Sequence, residues 1–540
     1  MPALRGFRRL EEYSFSSGIR TAIWFVRLMK FLGLLPVAAC ALHCQAQPVM
    51  ESLPGKGVWS DPRFKQSGPG ARVRATIWFD KQFLGDGSAF LRRTREFTDV
   101  GRTIMRRRVI AALKAASMNS RVKAEAPLAA LSRAGTISSL QYTWIVNGFS
   151  CTTTAGNVDA LRTIPGVRKI FHAGPARESP PHPSPGSVPG VRRTPVTTPP
   201  AFDPGQYPPL WYVEKLGASK VWKELGITGK GTLNIIHDGN FIPSPWINAS
   251  LHHNPAEKLN GQDDDGNGLV DDLHGYDFSR GTGDLIRRPL PPGRPHPSIL
   301  HGHQCVSIIC GRGSEEHPVQ PGLAPEARWA GVIAISHIED AVQWAIEQGA
   351  DTYSMSFSRP RLGHYRSHWR KLMEHGAFCG VHFISGAGNY AKEQPIPIQM
   401  RVPEDIPHAV FAVAGVQRDL GRTPFSSQGP VGWNTSHYRD GRVEKPEACA
   451  FNHLVPLLPP GGGRPTTTCS GNSFAGPMAC GTIALMLSAN PELKPWETRA
   501  IIIRTATDVA EEGFDFQTGH GLINAFKAVS AALPRGVSRD

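Results

Sequence analysis

Three polar side chains stand in surroundings that suit one kind of chemistry, the activation of a hydroxyl as a nucleophile. Asp238 closes the segment GKGTLNIIHDGN, Gly229–Asn240, in which the apolar run Leu233–Ile236 reads as a buried strand and Gly239-Asn240 as the turn behind it. His301 opens HGHQCVSIICG. Ser473, just beyond Gly471, leads into Phe474–Leu487, a run apolar all round, as a helix buried on every side must be. A hydroxyl attacks poorly until a base takes its proton, and an imidazole serves as that base when a carboxylate fixes its tautomer and stabilises its charge. Each residue alone has a plainer use: a turn for the aspartate, packing for the histidine, a helix N-cap for the serine. The three together, each with flanking glycines and an apolar run, favour the chemistry.

Their order also discriminates, since the chymotrypsin-like order is His, Asp, Ser and the α/β-hydrolase order is Ser, acid, His. Order and flanking segments resemble those of the subtilisin-like serine proteases, the subtilases, from about Tyr212 to Ala532. The resemblance implies catalytic roles for Asp238, His301 and Ser473. Asn389, near the end of VHFISGAGNY (Val381–Tyr390), falls on the family's oxyanion-hole asparagine, whose amide donates to the oxyanion as it forms. DTYSMSFS, Asp351–Ser358, resembles the substrate-binding strand, which implies substrate contacts for Ser356, Phe357 and Ser358. VPEDIPHAVFAVAGV (Val402–Val416), FSSQGP (Phe425–Pro430) and GHGLINAFKAV (Gly519–Val529) are similar to a later strand, a turn and the closing helix of the family. The implied fold is α/β: a subtilisin-like catalytic domain with a mostly parallel sheet between helices, preceded by a small α+β propeptide domain.

Departures from the family pattern bear on that expectation. Gln304 replaces the second histidine of the His301 motif, Asn472 replaces a threonine before Ser473, Gly239-Asn240 replaces Thr-Gly or Ser-Gly, and Ser358 stands where a glycine commonly lets substrate approach. Asn tolerates a left-handed backbone almost as well as Gly, which makes the change at Asn240 a mild one. The altered residues around His301 and Ser473 motivate a competing reading, a catalytically impaired subtilase-fold binding protein.

Four regions follow from composition. Within residues 1–46, the apolar stretch Phe31–Leu42 behind Arg27 and Lys30, followed by Cys44-Gln45-Ala46, reads as a signal peptide; it is shorter than the roughly 20 residues a membrane span needs. Met29 would be a more conventional start than Met1. VAAC, ending at Cys40, also resembles a lipoprotein box, so secreted and lipid-anchored forms both stand; no other segment reads as transmembrane. Residues 71–173 alternate strand and helix patterns: a strand at Ala71–Phe79, a helix at Arg102–Ser117, one strand through Gln141–Ser150, a short helix at Val158–Ile164 and a strand at Val167–Phe171. This region resembles the inhibitory propeptides of subtilases; an unrelated α+β domain is the alternative. Residues 174–209, with 12 prolines, read as an extended linker, and 210–535 as the peptidase domain.

QDDDGNGLVDD, Gln262–Asp272, packs hard oxygen donors around two glycines. In the register of an EF-hand-like loop, Asp263, Asp265, Asn267 and Asp271 take the first, third, fifth and ninth positions, with His274 where a glutamate belongs. A structural calcium site and a solvated acidic turn are the two readings. Nine cysteines include six in the peptidase region, which in an exported chain permit disulfides in 15 connectivities. Cys305 reads as core, not as a second nucleophile. The net charge of +14 rests on arginines scattered over propeptide and linker without an aromatic-basic motif, which argues against nucleic acid; the resemblance implies protein or peptide substrates and the chain's own propeptide as partners.

Overall fold

The apolar runs of the second half of the chain become a seven-stranded sheet in which every pairing is parallel. The structure, a computed structural model, describes residues 48–176, 202–205, 208–242, 244–285, 300–312, 321–334, 336–458 and 467–534. The signal segment, Cys40, Cys44 and most of the proline-rich linker lie outside the described residues.

In chain order the elements used below are β1 (Trp59–Ser60), β2 (Arg72–Phe79), α1 (Arg102–Arg133), β3 (Ile137–Thr143), β4 (Gly148–Thr154), α2 (Val158–Leu161), β5 (Val167–Pro175), β6 (Leu233–His237), β7 (Gly275–Asp277), α3 (His301–Cys310), β8 (Arg328–Ile333), α4 (Ile338–Glu347), β9 (Thr352–Met355), α5 (Arg366–Phe378), β10 (His382–Gly386), β11 (Val410–Val416), β12 (Ala448–Phe451), α6 (Asn472–Ala489), α7 (Pro495–Thr505) and α8 (Ala525–Ala532). The large sheet runs β12-β11-β10-β9-β6-β8-β7. Parallel strands need both faces covered, and their sequences carry that requirement: every residue of β6, β9, β10 and β11 is buried. β6 is central and its neighbours lie on either side, so the chain reverses its direction of winding there and opens a crevice at the strands' carboxyl ends. α6, buried from Phe474 to Leu487, packs against the sheet. The mostly parallel sheet and its helices give the α/β, subtilisin-like fold expected from the sequence.

A five-stranded sheet, β1-β5-β2-β4-β3, forms the N-terminal layer. It differs from the sequence reading in three ways. α1 continues sixteen residues past Ser117, to Arg133. The segment read as one strand is a hairpin: β3 ends at Thr143, β4 begins at Gly148, and the intervening Ile145 and Val146 are wholly buried. The layer also starts at β1 and ends at Pro175, beyond both expected limits.

This layer is joined to the larger sheet by α4 and α5. Trp78 Nε1 donates to His368 Nδ1 at 2.8 Å, and Gln343 Oε1 accepts from Thr143 Oγ1 at 2.9 Å and from the backbone N–H of Trp144 at 2.7 Å. His375 is held by two separate N-terminal segments: its Nδ1 donates to the Ile145 carbonyl at 2.5 Å, and its Nε2 accepts from the Leu84 N–H at 3.2 Å. Burial, with Lys371 nearby, holds His375 well below the usual imidazole value, so the neutral ring is the one that fits. Arg102 pairs with Asp351 at 2.6 Å, and Lys494 donates to the carbonyls of Phe97 and Val100. One apolar cluster runs through Trp78, Phe83, Phe97, Ile145 and Phe171 into the peptidase core.

Candidate active site

The sequence-predicted residues converge at the carboxyl ends of three adjacent strands and the amino ends of two helices. Asp238 follows β6, Ser356–Ser358 follow β9 and Asn389 lies just past β10, while His301 opens α3 and Ser473 lies in the first turn of α6. Asp238 Oδ2 meets His301 Nδ1 at 2.7 Å, and Asp238 Oδ1 accepts the Gly239 N–H at 2.7 Å. Gly302 makes this closeness possible. A Cβ there would lie 2.3 Å from the Asn240 carbonyl oxygen and 3.1 Å from Asp238 Cβ, so only glycine lets α3 bring His301 to the aspartate. Neither Gly239 nor Asn240 adopts a positive φ, so the left-handed tolerance of Asn is not what accommodates the change at that turn.

Burial opposes a charge on His301, but the Asp238 carboxylate in hydrogen-bond contact favours it and prevails, raising the imidazole well above its ordinary value. The His301 ring packs on Phe474, the neighbour of Ser473, with centroids 5.6 Å apart. Ser473 Oγ donates to the Ser356 carbonyl at 3.4 Å, and Ser356 Oγ donates to the Ser473 carbonyl at 2.9 Å.

Asn389 and Ser473 share a cavity of about 130 Å³ with Ser356, Phe357, Ser358, Gly386, Gly388 and Tyr390. The backbone N–H of Asn472 donates to Asn389 Oδ1 at 2.8 Å. A backbone N–H only donates, which assigns the oxygen of the Asn389 amide to that contact and leaves its NH2 as the end available to the cavity. Asn472 is itself fixed: its Nδ2 donates to the Gly388 carbonyl at 2.6 Å and to Ser426 Oγ at 3.0 Å, and its Oδ1 accepts from Asn452 Nδ2 at 2.6 Å. Gln304 is equally satisfied, donating to the Pro456 carbonyl at 2.7 Å and accepting the Leu458 N–H at 3.1 Å. The two departures from the family motif are therefore built into the scaffold around the site.

Cys305 is wholly buried, its Sγ 4.0 Å from His301 Nδ1 and 3.5 Å from the Ser473 carbonyl. Burial pushes the thiol up, which keeps it protonated and disposes of a second nucleophile. Cys305, Cys310, Cys379, Cys449, Cys469 and Cys480 are all free thiols, so none of the 15 connectivities forms among the described residues.

The acidic loop gathers a different set of carboxylates from the EF-hand register. Glu257, Asp265 and Asp272 bring oxygens within 4.8 Å of one another. Of the four predicted ligands only Asp265 belongs to that group. Asp271 instead accepts the N–H groups of Asn260 and Gly261, Asp263 accepts those of Asn267 and Gly268, and Asn267 Nδ2 donates to Asp265 and Asp272. Glu257 Oε2 and Asp272 Oδ1 are buried without a partner, and burial raises these two carboxyls to about 7 and about 6. Orphaned hard oxygens converging on one point suit a cation of the calcium type.

Comparison with known proteins bears on the whole. Residues 289–521 match the profile of the subtilase family, a span that includes His301, Asn389 and Ser473 and begins after Asp238. A calcium-dependent protease of Trichormus variabilis is 26% identical over 349 residues, 54% of this chain and 50% of that protein. A probable subtilase-type serine protease of Deinococcus radiodurans is 25% identical over 331 residues, 58% of this chain and 42% of that protein. A halolysin-like extracellular serine protease of Natrialba magadii is 25% identical over 299 residues, 53% of this chain and 46% of that protein. The chain spans half or less of the length of these relatives. Together with the parallel sheet, the match makes the chain similar to the subtilases over residues 289–521.

Proposed function

We propose that the chain is an exported serine endopeptidase that hydrolyses peptide bonds in proteins. The observation that carries the reading is the 2.7 Å contact between Asp238 and His301, formed beside a cavity that Ser473 and Asn389 share. In this reading His301 Nε2 takes the Ser473 proton as Oγ attacks the substrate carbonyl carbon. Asp238 stabilises the imidazolium through Nδ1, and Asn389 donates to the oxyanion from Nδ2. The imidazolium then protonates the leaving amine, and water, deprotonated by the same ring, releases the acyl group from Ser473. Ser356, Phe357 and Ser358 form the substrate-facing wall.

A calcium ion held by Glu257, Asp265 and Asp272 would tie the acidic loop to α4, since Asp272 Oδ2 already accepts from Trp344 Nε1. The name of the Trichormus variabilis relative agrees with such an ion. Export rests on the Phe31–Leu42 segment and on the extracellular relative; a lipid on Cys40 is the other form export could take.

The N-terminal layer acts as the inhibitory propeptide. Ala173 and Pro175 line one cavity with Arg359 and Trp369, and Arg359 adjoins Ser358, so the strand ends where the substrate wall begins. Cleavage falls between about Gly174 and Gln206. A fluorophosphonate probe should label the purified protein and spare Ser473→Ala, and N-terminal sequencing should find the linker cut in the first and intact in the second. An unlabelled, folded wild type would sink the reading.

A further inference from the structure

Two carboxylates follow one another after Pro403, and the fold treats them differently. Asp405 has a cation, with Arg366 Nη2 at 2.5 Å from its Oδ2. Glu404 is wholly buried, and among the described residues no basic side chain forms an ion pair with it. Its Oε1 accepts from Ser358 Oγ at 2.6 Å and from the Arg401 N–H at 3.1 Å, while Oε2 has no partner. Burying a carboxyl without a counter-charge is costly, and burial raises this one to about 8.

Its position gives the missing charge a source. Ser358 and Gly388 both line the cavity at Ser473, and a Cβ built on Gly388 would lie 3.0 Å from Glu404 Oε1. The carboxyl therefore stands directly behind the wall that those two residues make. The Arg401 guanidinium is engaged 3.6 Å from the centre of the ring of Tyr390, another residue of the cavity lining, and makes no ion pair with Glu404. In the peptidase reading, the residue whose carbonyl Ser473 attacks lies against this cavity, beside Ser356–Ser358. An apolar side chain leaves the carboxyl behind that wall without a counter-charge and an acidic one adds repulsion, whereas Lys or Arg brings the compensating charge.

We propose that Glu404 is the specificity-determining residue of the site and that the enzyme cleaves on the carboxyl side of Lys and Arg; this rests on the peptidase reading above. The test is a set of peptides differing only in the residue before the scissile bond, cleaved by the purified full-length protein and by Glu404→Gln. Wild type should favour Lys or Arg over Leu and Phe by about 100-fold or more in kcat/KM, and Glu404→Gln should cut that ratio at least about tenfold. As a check independent of the variant's folding, a peptide argininal should block fluorophosphonate labelling of wild type at concentrations where the matching leucinal does not. A labelled, active enzyme that prefers Leu or Phe, or is blocked equally by both aldehydes, overturns the inference and leaves the peptidase standing. A folded chain that takes no label overturns both.

Discussion

The backbone N–H of Asn472 donates to the side-chain oxygen of Asn389 at 2.8 Å, so the residue before Ser473 orients the amide that faces the cavity at Ser473. Removing the amide by Asn389→Ala should lower kcat by about 10²–10³-fold with little change in KM, a magnitude established for such a donor in a subtilase. Asn472→Ala keeps its backbone donor but loses the bonds to Gly388, Ser426 and Asn452, and should cost about tenfold in kcat through misplacement alone. Steady-state kinetics of both variants checks this. Full activity in Asn389→Ala would remove the amide from the mechanism.

The raised His301 sets a pH dependence. A base works only unprotonated, so kcat/KM should climb as pH rises through a value above 6.5, giving an enzyme more active at alkaline than at neutral pH. A pH–rate profile with a small peptide measures it. An ascending limb below pH 6 would contradict the influence of Asp238.

Calcium should stabilise through Glu257 and Asp272, which the EF-hand register does not include, together with Asp265. At 100 times Kd an ion bound only by the folded state adds about 2.7 kcal/mol. Chelation should lower the Tm of Ser473→Ala, and Glu257→Gln or Asp272→Asn should abolish that response. Asp263→Asn should retain it, since Asp263 faces the amides of its own turn.

Acid should loosen the joint between the two sheets. The unfolded chain protonates His375 as pH falls through about 6.5, whereas the folded ring resists to well below that, so the unfolded state binds the extra proton and stability falls as pH drops from about 6.5. One such ring accounts for about 2 kcal/mol by pH 5. Thermal melts of Ser473→Ala at pH 7 and pH 5 should show the loss, and His375→Gln, less stable at pH 7, should show a smaller one. Equal losses in both proteins would acquit His375.

Leu233–Ile236 and Phe474–Leu487 were legible because burial on all sides leaves a mostly apolar run, broken only by Asn234 and Thr482, and the Asp238, His301 and Ser473 segments carry their own glycines. What escaped depends on tertiary partners. Ile145 and Val146 read as strand because they are apolar, yet they are apolar because the hairpin turn between β3 and β4 is buried. α1 carries exposed Met118 and Val122, which blur its helical period beyond Ser117. Glu257 approaches Asp272 only through the folded loop, and Glu404, in a segment read as strand-forming, gives no sign in sequence that it stands behind the cavity wall of Ser358 and Gly388.

The joint between the sheets also orders events in time. Lys494 must reach back 397 positions to bond the Phe97 carbonyl, and Trp78 waits 290 positions for His368. The N-terminal layer is made first and stands with apolar side chains uncovered until α4, α5 and finally Lys494, the N-cap of α7, emerge. Contacts this distant in sequence close slowly. Asn389 and α6 are laid down between those two dates, so Asn389 and Ser473 are brought to one cavity only after the N-terminal layer has been made.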